Sequence, residues 1–486
     1  MNLSLISLEV CVITLGLVVL MADLWLPPER KKLLGYAAAA GLAFLLIINF
    51  TGFGSCTVLG GAFHGMFVQD ALSIFFKRFF LLAAIFVLLM IAEFSDQVAS
   101  GISEYYSLTL FALVGMLFAA SANNFALLFV SLELITVSSY VLTSFQRRRI
   151  VSLEAGVKYL IIGALSTSFT IFGIALVWGT SGKFNFTELA AVAAQMGGNK
   201  LFLFGLLFVI VGLGFKIAAF PFQIWAPDVY QGAPTPTTAL LAVGSKAAGF
   251  VLLLRVLFMA VPAITAQWAN ILIIISGITI LYGNLCAIPQ QNIKRLLGYS
   301  SIAHAGYMLL GVAALAGAKT SDGATAILFY VGGYLFTVLA AFMVITLALR
   351  HLDTENISGL AGLGQRSPLL GAAMTFSMVS LAGLPPLVGF FGKFLLLKSV
   401  IDLGPVNHGY YCLAFTALVG VVISIYYYFG VIRAIYWGQP DEALPVRISC
   451  VMRFALFLCM AGMLWFGLVP SCLLHLAKDG AAALGF

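Results

Sequence analysis

Apolar runs long enough to cross a bilayer recur from one end of this chain to the other. They fall at roughly 4–26, 34–53, 72–92, 106–120, 123–143, 155–178, 201–226, 234–257, 267–288, 296–316, 323–349, 369–400, 411–437 and 451–470, fourteen in all. A spanning helix needs about 20 such residues, whereas a barrel strand needs about 10 in strict alternation. No such alternation is present, so the sequence predicts an all-α polytopic membrane protein. Composition agrees: 62% of the 486 residues are apolar and 9% charged, against about 25% charged in soluble domains. What the spans leave over is short loops. That excludes a soluble catalytic domain, and the net charge of +7 does not point to nucleic acid, because the basic residues cluster beside apolar runs.

Those basic residues predict an orientation. Loops after odd-numbered spans hold thirteen Lys and Arg, including Arg30-Lys31-Lys32 and Arg147-Arg148-Arg149, and the opposite loops hold five. Positive charge stays on the cytoplasmic side. Both termini are therefore expected on the outer, periplasmic face of the cell's inner (plasma) membrane, with the first span retained rather than cleaved. Lys77, Arg78 and Arg255 lie at span ends and read as snorkelling to headgroups.

Two spans are interrupted. Gly212-Leu213-Gly214-Phe215-Lys216 is followed by Pro221, Pro227, Pro234 and Pro236, and Leu381-Ala382-Gly383-Leu384-Pro385-Pro386 lies inside span twelve. Proline removes a backbone donor, and irregular backbone at membrane depth survives only where protein or water covers it. Five spans separate the broken seventh and twelfth helices. Because five is odd, a unit repeated at that offset is inverted in the membrane, an arrangement that marks transport sites. The expected organisation is a three-helix segment at 1–105, a first five-helix repeat at 106–260 (spans four to eight), an inverted second repeat at 261–440 (spans nine to thirteen), and a C-terminal helix at 441–486.

A charge at the bilayer centre costs about 2.5–3.5 kcal/mol on insertion scales. Glu133, Lys216, Lys246 and Lys393 nonetheless fall near mid-span, with Lys158 nearer an end and Glu154 one turn before it. The competing reading is structural ion pairing between helices. One charge per helix, twice beside a break, favours a functional row. Glu133 is expected to pair with Lys216. All four inner cations are lysine. Burial disfavours an ammonium and a nearby carboxylate favours it, so moving the partner loads or unloads a proton; an arginine stays protonated. Thr136 and Tyr140 share the face of Glu133, with bonding to their own helix backbone an equal reading. His304 sits on one face with Ser300 and Tyr307, as a proton relay or as a hydrogen-bonded packing residue. Tyr426, Tyr427 and Tyr428 line a wet path or pack.

At these residues the chain resembles a known family. Leu132-Glu133-Leu134-Ile135, Gly214-Phe215-Lys216 with Pro221-Phe222, Trp225-Ala226-Pro227-Asp228-Val229-Tyr230 with Gly232-Ala233-Pro234, Asn292-Ile293-Lys294-Arg295-Leu296-Leu297-Gly298-Tyr299-Ser300-Ser301, and Leu381-Ala382-Gly383-Leu384-Pro385 with Gly389-Phe390 and Gly392-Lys393 resemble the antiporter-like subunits of respiratory complex I. Lysine in the broken twelfth span is similar to the N and L types, M carrying glutamate there, and a long lateral helix of the L type is not expected after span fourteen. The resemblance implies a proton-translocating subunit of an NADH:quinone oxidoreductase. In that family Glu133 and Lys216 would be the modulating pair, Lys246 the central relay and Lys393 the outlet-side donor; the residues themselves add Lys158 and His304 as candidate relays. NADH, FMN, iron–sulfur clusters and quinone would belong to partner subunits, no cofactor or metal being expected in this chain, and its partners would be a neighbouring antiporter-like subunit, small membrane-arm subunits and lipid. Gln223 departs from the pattern, standing where many members carry histidine. The rival readings are a subunit of a multi-subunit cation/proton antiporter, a structural subunit that pumps nothing, and a stand-alone carrier. The seven cysteines form no C-x-x-C pair; a disulfide among Cys56, Cys412 and Cys472 is left open.

Overall fold

Without water in the hydrocarbon layer every backbone N–H and C=O must find a partner inside the protein, and an α-helix does this within one segment. The computed structural model of this chain describes residues 3–51, 59–98, 100–318, 321–350, 354–438 and 446–485, and it is built almost wholly of helices. They are α1 (Ser7–Ala22), α2 (Lys32–Thr51), α3 (Ala71–Phe94), α4 (Ile102–Ala120), α5 (Phe125–Thr143), α6 (Ile150–Ser181), α7 (Phe186–Met196), α8 (Lys200–Ile217), α9 (Trp225–Gly232), α10 (Thr235–Leu240), α11 (Lys246–Leu254), α12 (Ala269–Ala287), α13 (Ile293–Ala318), α14 (Ser321–Ala348), α15 (Leu363–Arg366), α16 (Pro368–Ala382), α17 (Val388–Ile401), α18 (Gly409–Trp437), α19 (Cys450–Leu468) and α20 (Ser471–Ala482). Among the described residues thirteen helices are long and apolar enough to cross a membrane. The fourteenth expected span is the interrupted one, present as α16 and α17.

The centre of the bundle is formed by Thr235–Ala260, α13 and α14, which are buried nearly along their whole length. The outer helices turn large apolar side chains outward, such as Ile150, Phe415 and Val422. The stretch Thr235–Ala260 is not uniform. A π-helical turn at Leu241–Ser245 ends just before Lys246, and a second covers Arg255–Ala260. Such turns re-aim the side chains that follow and recur at functional sites.

Both breaks are built alike. α8 stops because Ala218 is left-handed (φ +59°) and α16 stops because Gly383 is left-handed (φ +83°), with Pro221 and Pro385-Pro386 following. Their loose ends are satisfied by protein. Trp225 donates its indole N–H to the carbonyl of Phe215 at 3.0 Å, and the Phe220 N–H reaches Thr279 Oγ1 at 3.1 Å.

Three features lie outside the sequence expectations. Strands β1 (Gly60–Ala62) and β2 (Phe67–Gln69) form an antiparallel hairpin beside the start of α3, and α7 and α20 are short amphipathic helices. The snorkelling expectation fails for two of three cations. Lys77 is fully buried and ion-paired to Glu9 at 2.7 Å, with Gln69 accepting a further bond. Arg255 is fully buried against Asp70 (2.8 Å) and the carbonyl of Ala120. Both basic stems run into the bundle because carboxylates are held there. Arg78 is partly exposed and bound to Asn49. Cys412 and Cys472 are free thiols, and Cys56 lies outside the described residues.

Candidate functional site

The last turn of α8 carries Lys216 into the bundle beside the break. Its Nζ donates to Thr136 Oγ1 on α5 at 2.9 Å, and its stem lies against α11 at Gly249, where an added Cβ would come within 3.3 Å of it. Glu133, one turn before Thr136, accepts from Thr167 Oγ1 of α6 at 2.8 Å. The expected direct ion pair is not formed. Instead Glu133 and Lys216 line one small cavity of about 20 Å³ together with Thr136, Thr167 and Thr170, room for about one water. The Thr136 hydroxyl therefore does more than bond its own helix: it donates to the Leu132 carbonyl and accepts from lysine at once.

Lys246 opens α11 immediately after the π-helical turn and is 3% exposed. Its Nζ donates to Ser301 through both the carbonyl and Oγ. Ser301 Oγ also meets the hydroxyls of Tyr230 (3.1 Å) and Tyr334 (3.2 Å). One turn along α13, His304 is buried with a hydroxyl on each ring nitrogen: Tyr330 at Nδ1 and Tyr428 at Nε2, the latter at 3.0 Å. Tyr428 continues to Ser300 Oγ at 2.5 Å. A cavity of about 10 Å³ between α13, α14 and the second break is lined by His304, Tyr330, Tyr334, Thr337 and Ser380.

Lys393 lies beyond that cavity on α17. Its Nζ donates to the freed carbonyls of Leu381 (2.7 Å) and Ala382 (3.1 Å) at the end of α16, and it stands 4.7 Å from the Tyr307 ring centroid. Gly383 serves this contact twice. It adopts a left-handed backbone, and a Cβ there would fall 2.8 Å from Lys393 Cδ. Lysine thus neutralises the partial negative charge of a broken helix end.

Lys158 stands apart from this row. Its side chain is 43% exposed, and its ammonium is bound by Glu154 (2.7 Å) and Asp228 (2.8 Å). Asp228 also receives Arg295 at 2.5 Å, and together these cations hold its carboxyl below the usual range although partial burial raises it. The three tyrosines part company: Tyr428 joins His304, Tyr427 donates to Asn284 at 2.9 Å, and Tyr426 faces outward. Gln223 is buried, and among the described residues its amide oxygen has no hydrogen-bond partner. The sequence reading missed Ser301, Tyr330 and Tyr334. Their signal was available, since Tyr330, Tyr334 and Thr337 repeat at i, i+4 and i+7 on one face of an otherwise apolar helix. Among the described residues no cluster of three or more His, Cys, Asp or Glu is placed to hold a metal ion.

Against this geometry stand the similarities to known proteins. Residues 122–424 match the family described as NADH:quinone oxidoreductase/Mrp antiporter, transmembrane. A protein named NADH-quinone oxidoreductase subunit N from Trichlorobacter lovleyi is 40% identical, covering 98% of this chain and 96% of its own length, and one of the same name from Heliobacterium modesticaldum is 36% identical over all of both chains. A chain of respiratory complex I from Thermus thermophilus superposes with a TM-score of 0.78 at 33% identity, covering 97% of this chain and 99% of that one. A chain of the Mrp complex from Dietzia shares the fold at 20% identity, with a TM-score of 0.84 over 100% of this chain and 98% of the other.

Proposed function

Since the chain belongs to the NADH-quinone oxidoreductase subunit N family, we propose that its buried row of lysines, hydroxyls and histidine is the proton path of that translocase. The chain is a proton-translocating membrane subunit without a redox centre of its own, sitting among other antiporter-like membrane-arm subunits. NADH, FMN, clusters and quinone belong to those partners on this reading. The inner membrane is its site, with both termini outside, as the excess of Lys and Arg in alternate loops argues. The 1–105 segment flanks two pumping units, 106–260 and 261–440, each with one broken helix, and 441–486 closes the bundle.

The observation that carries the proposal is the succession of polar groups across the bundle centre. Lys216 meets Thr136 beside Glu133; Lys246 meets Ser301 and, through it, Tyr334; His304 joins Tyr330 and Tyr428; Lys393 holds the carbonyls beyond. Between Lys246 and Lys393 the hydroxyls and the His304 ring can each both give and accept a hydrogen bond. A charge arriving on Lys216 is balanced by Glu133 across the cavity they share, so displacement of either changes proton occupancy without breaking an ion pair. In this scheme Lys393 releases its proton on the far side when a second positive charge reaches His304. Lys158, being exposed and doubly paired, serves as an entry-side or subunit-contact group.

Lys216→Met and Lys393→Met in the assembled complex test this. Proton uptake per electron into proteoliposomes should fall at least several-fold while the complex still assembles. Normal pumping per electron in both variants would refute the path and favour a structural subunit; transport by the purified chain without partners would favour a stand-alone carrier.

A further inference from the structure

Away from the lysine row, a further cavity of about 340 Å³ opens between α2, α3, α14, α19 and α20. Its wall is apolar and largely aromatic, with Phe50, Phe75, Phe79, Leu82, Phe336 and Phe466 facing it. One cation breaks that wall. Arg78, two turns into α3, donates Nε to Asn49 Oδ1 and Nη2 to the Asn49 carbonyl, each at 2.8 Å, and its guanidinium lies 4.4 Å from the Phe50 ring centroid. Asn49 is in the last turn of α2, so the charge sits at helix-end depth, where headgroups lie. Among the described residues no carboxylate comes within 4 Å of Arg78, unlike Lys77 and Arg255, which are ion-paired. Asp479 on α20 lines the same cavity, and it is exposed.

An apolar chamber with one uncompensated cation at its polar end matches an amphiphile with hydrocarbon at one end and an anion at the other. From this geometry we infer that the cavity is a binding site for an anionic phospholipid, its acyl chain between α3 and α14 and its phosphate on Arg78. Asn49 holds two edges of the guanidinium and pre-orients it, leaving Nη1 for phosphate oxygen. Planar Arg–phosphate pairing adds direction as well as charge, here in the outer leaflet, where the end of α2 and the start of α3 lie on the proposed orientation. The opposing Asp479 carboxylate weakens the site and sets the sign of one control.

The intact complex is reconstituted in phosphatidylcholine bilayers doped with phosphatidylglycerol, or with a matched phosphatidylcholine, carrying a diazirine on the acyl chain. Cross-linked peptides are then mapped. Phosphatidylglycerol should label the α3 and α14 peptides at least fivefold more than phosphatidylcholine. Arg78→Gln should bring labelling down to the phosphatidylcholine level, Arg78→Lys should keep most of it, and Asp479→Asn should raise it. Equal labelling by the two lipids, undiminished labelling of Arg78→Gln, or no labelling because a neighbouring subunit fills the chamber would each overturn the inference. If Arg78→Gln fails to assemble, Leu82→Trp decides: filling the cavity must abolish labelling by both lipids, and labelling that persists refutes the site.

Discussion

At the scale of the residue, the proposed path depends on hydroxyl and imidazole side chains that donate and accept at once. Tyr428 and Tyr427 are adjacent and both buried, yet only Tyr428 touches His304 and Ser300. Tyr428→Phe keeps the ring and removes the hydroxyl, so proton transfer per electron should fall several-fold in proteoliposomes with little loss of assembly. Tyr427→Phe removes a bond to Asn284 worth about 1 kcal/mol and should leave the proton-to-electron ratio unchanged. The contrast reads a relay against packing, because the two substitutions are chemically identical. The titratable members were legible in the sequence, since a lysine or glutamate in an apolar run is conspicuous. The hydroxyl partners were less so. Tyrosine is at home in an apolar core, and only its pairing with residues more than 100 positions away shows that Tyr428 is polar in use.

At the scale of the element, the helix breaks are where backbone chemistry is exposed to the site. Their positions were readable from Pro and Gly, but the direction of the freed carbonyls was not, because that depends on where the chain turns. Gly383 makes the point. Gly383→Ala asks an L-residue to hold φ near +83° and drives a methyl into Lys393. We expect about 1–2 kcal/mol of destabilisation and displacement of Lys393 from the α16 carbonyls, seen as pumping lost out of proportion to assembly. The loop before α15 gives a pH-dependent counterpart. Glu355 accepts from Arg149 (3.0 Å), Lys294 (3.0 Å) and Asn292 (3.2 Å), tying the start of α6 to the start of α13. Burial raises its carboxyl, but Lys294 and Arg149 outweigh that and hold it below its ordinary 4.5. A depressed folded-state value stabilises above the ordinary one and is lost as pH falls through the folded value. The thermal disassembly midpoint of wild type should therefore exceed that of Glu355→Gln most at pH 7, where the substitution costs on the order of 3 kcal/mol by leaving Lys294 unpaired. The gap should close as pH drops below 4.5.

At the scale of the whole molecule, the first three spans must be joined to a core that already carries the buried lysine row. Hydropathy located these spans but could not show what joins them, because their cations looked like headgroup anchors and the partners lie far off in sequence. The join is made by charge: Glu9 of α1 with Lys77 of α3, both fully buried, and Asp70 at the head of α3 with Arg255 between the bundle's central helices. Lone charges there are expensive, whereas replacing a whole buried pair by apolar groups is often neutral. Lys77→Met alone strands the Glu9 carboxylate and should cost about 3–5 kcal/mol, read as a several-fold loss of assembled complex on native gels. Glu9→Leu combined with Lys77→Met should restore assembly to near wild type. The double variant also separates two roles for the pair. If it is a structural join, pumping per electron in the restored complex equals wild type. If the restored complex oxidises NADH but pumps fewer protons, the α1–α3 charges belong to a proton route of their own, and the single row through Lys216, Lys246 and Lys393 is too simple.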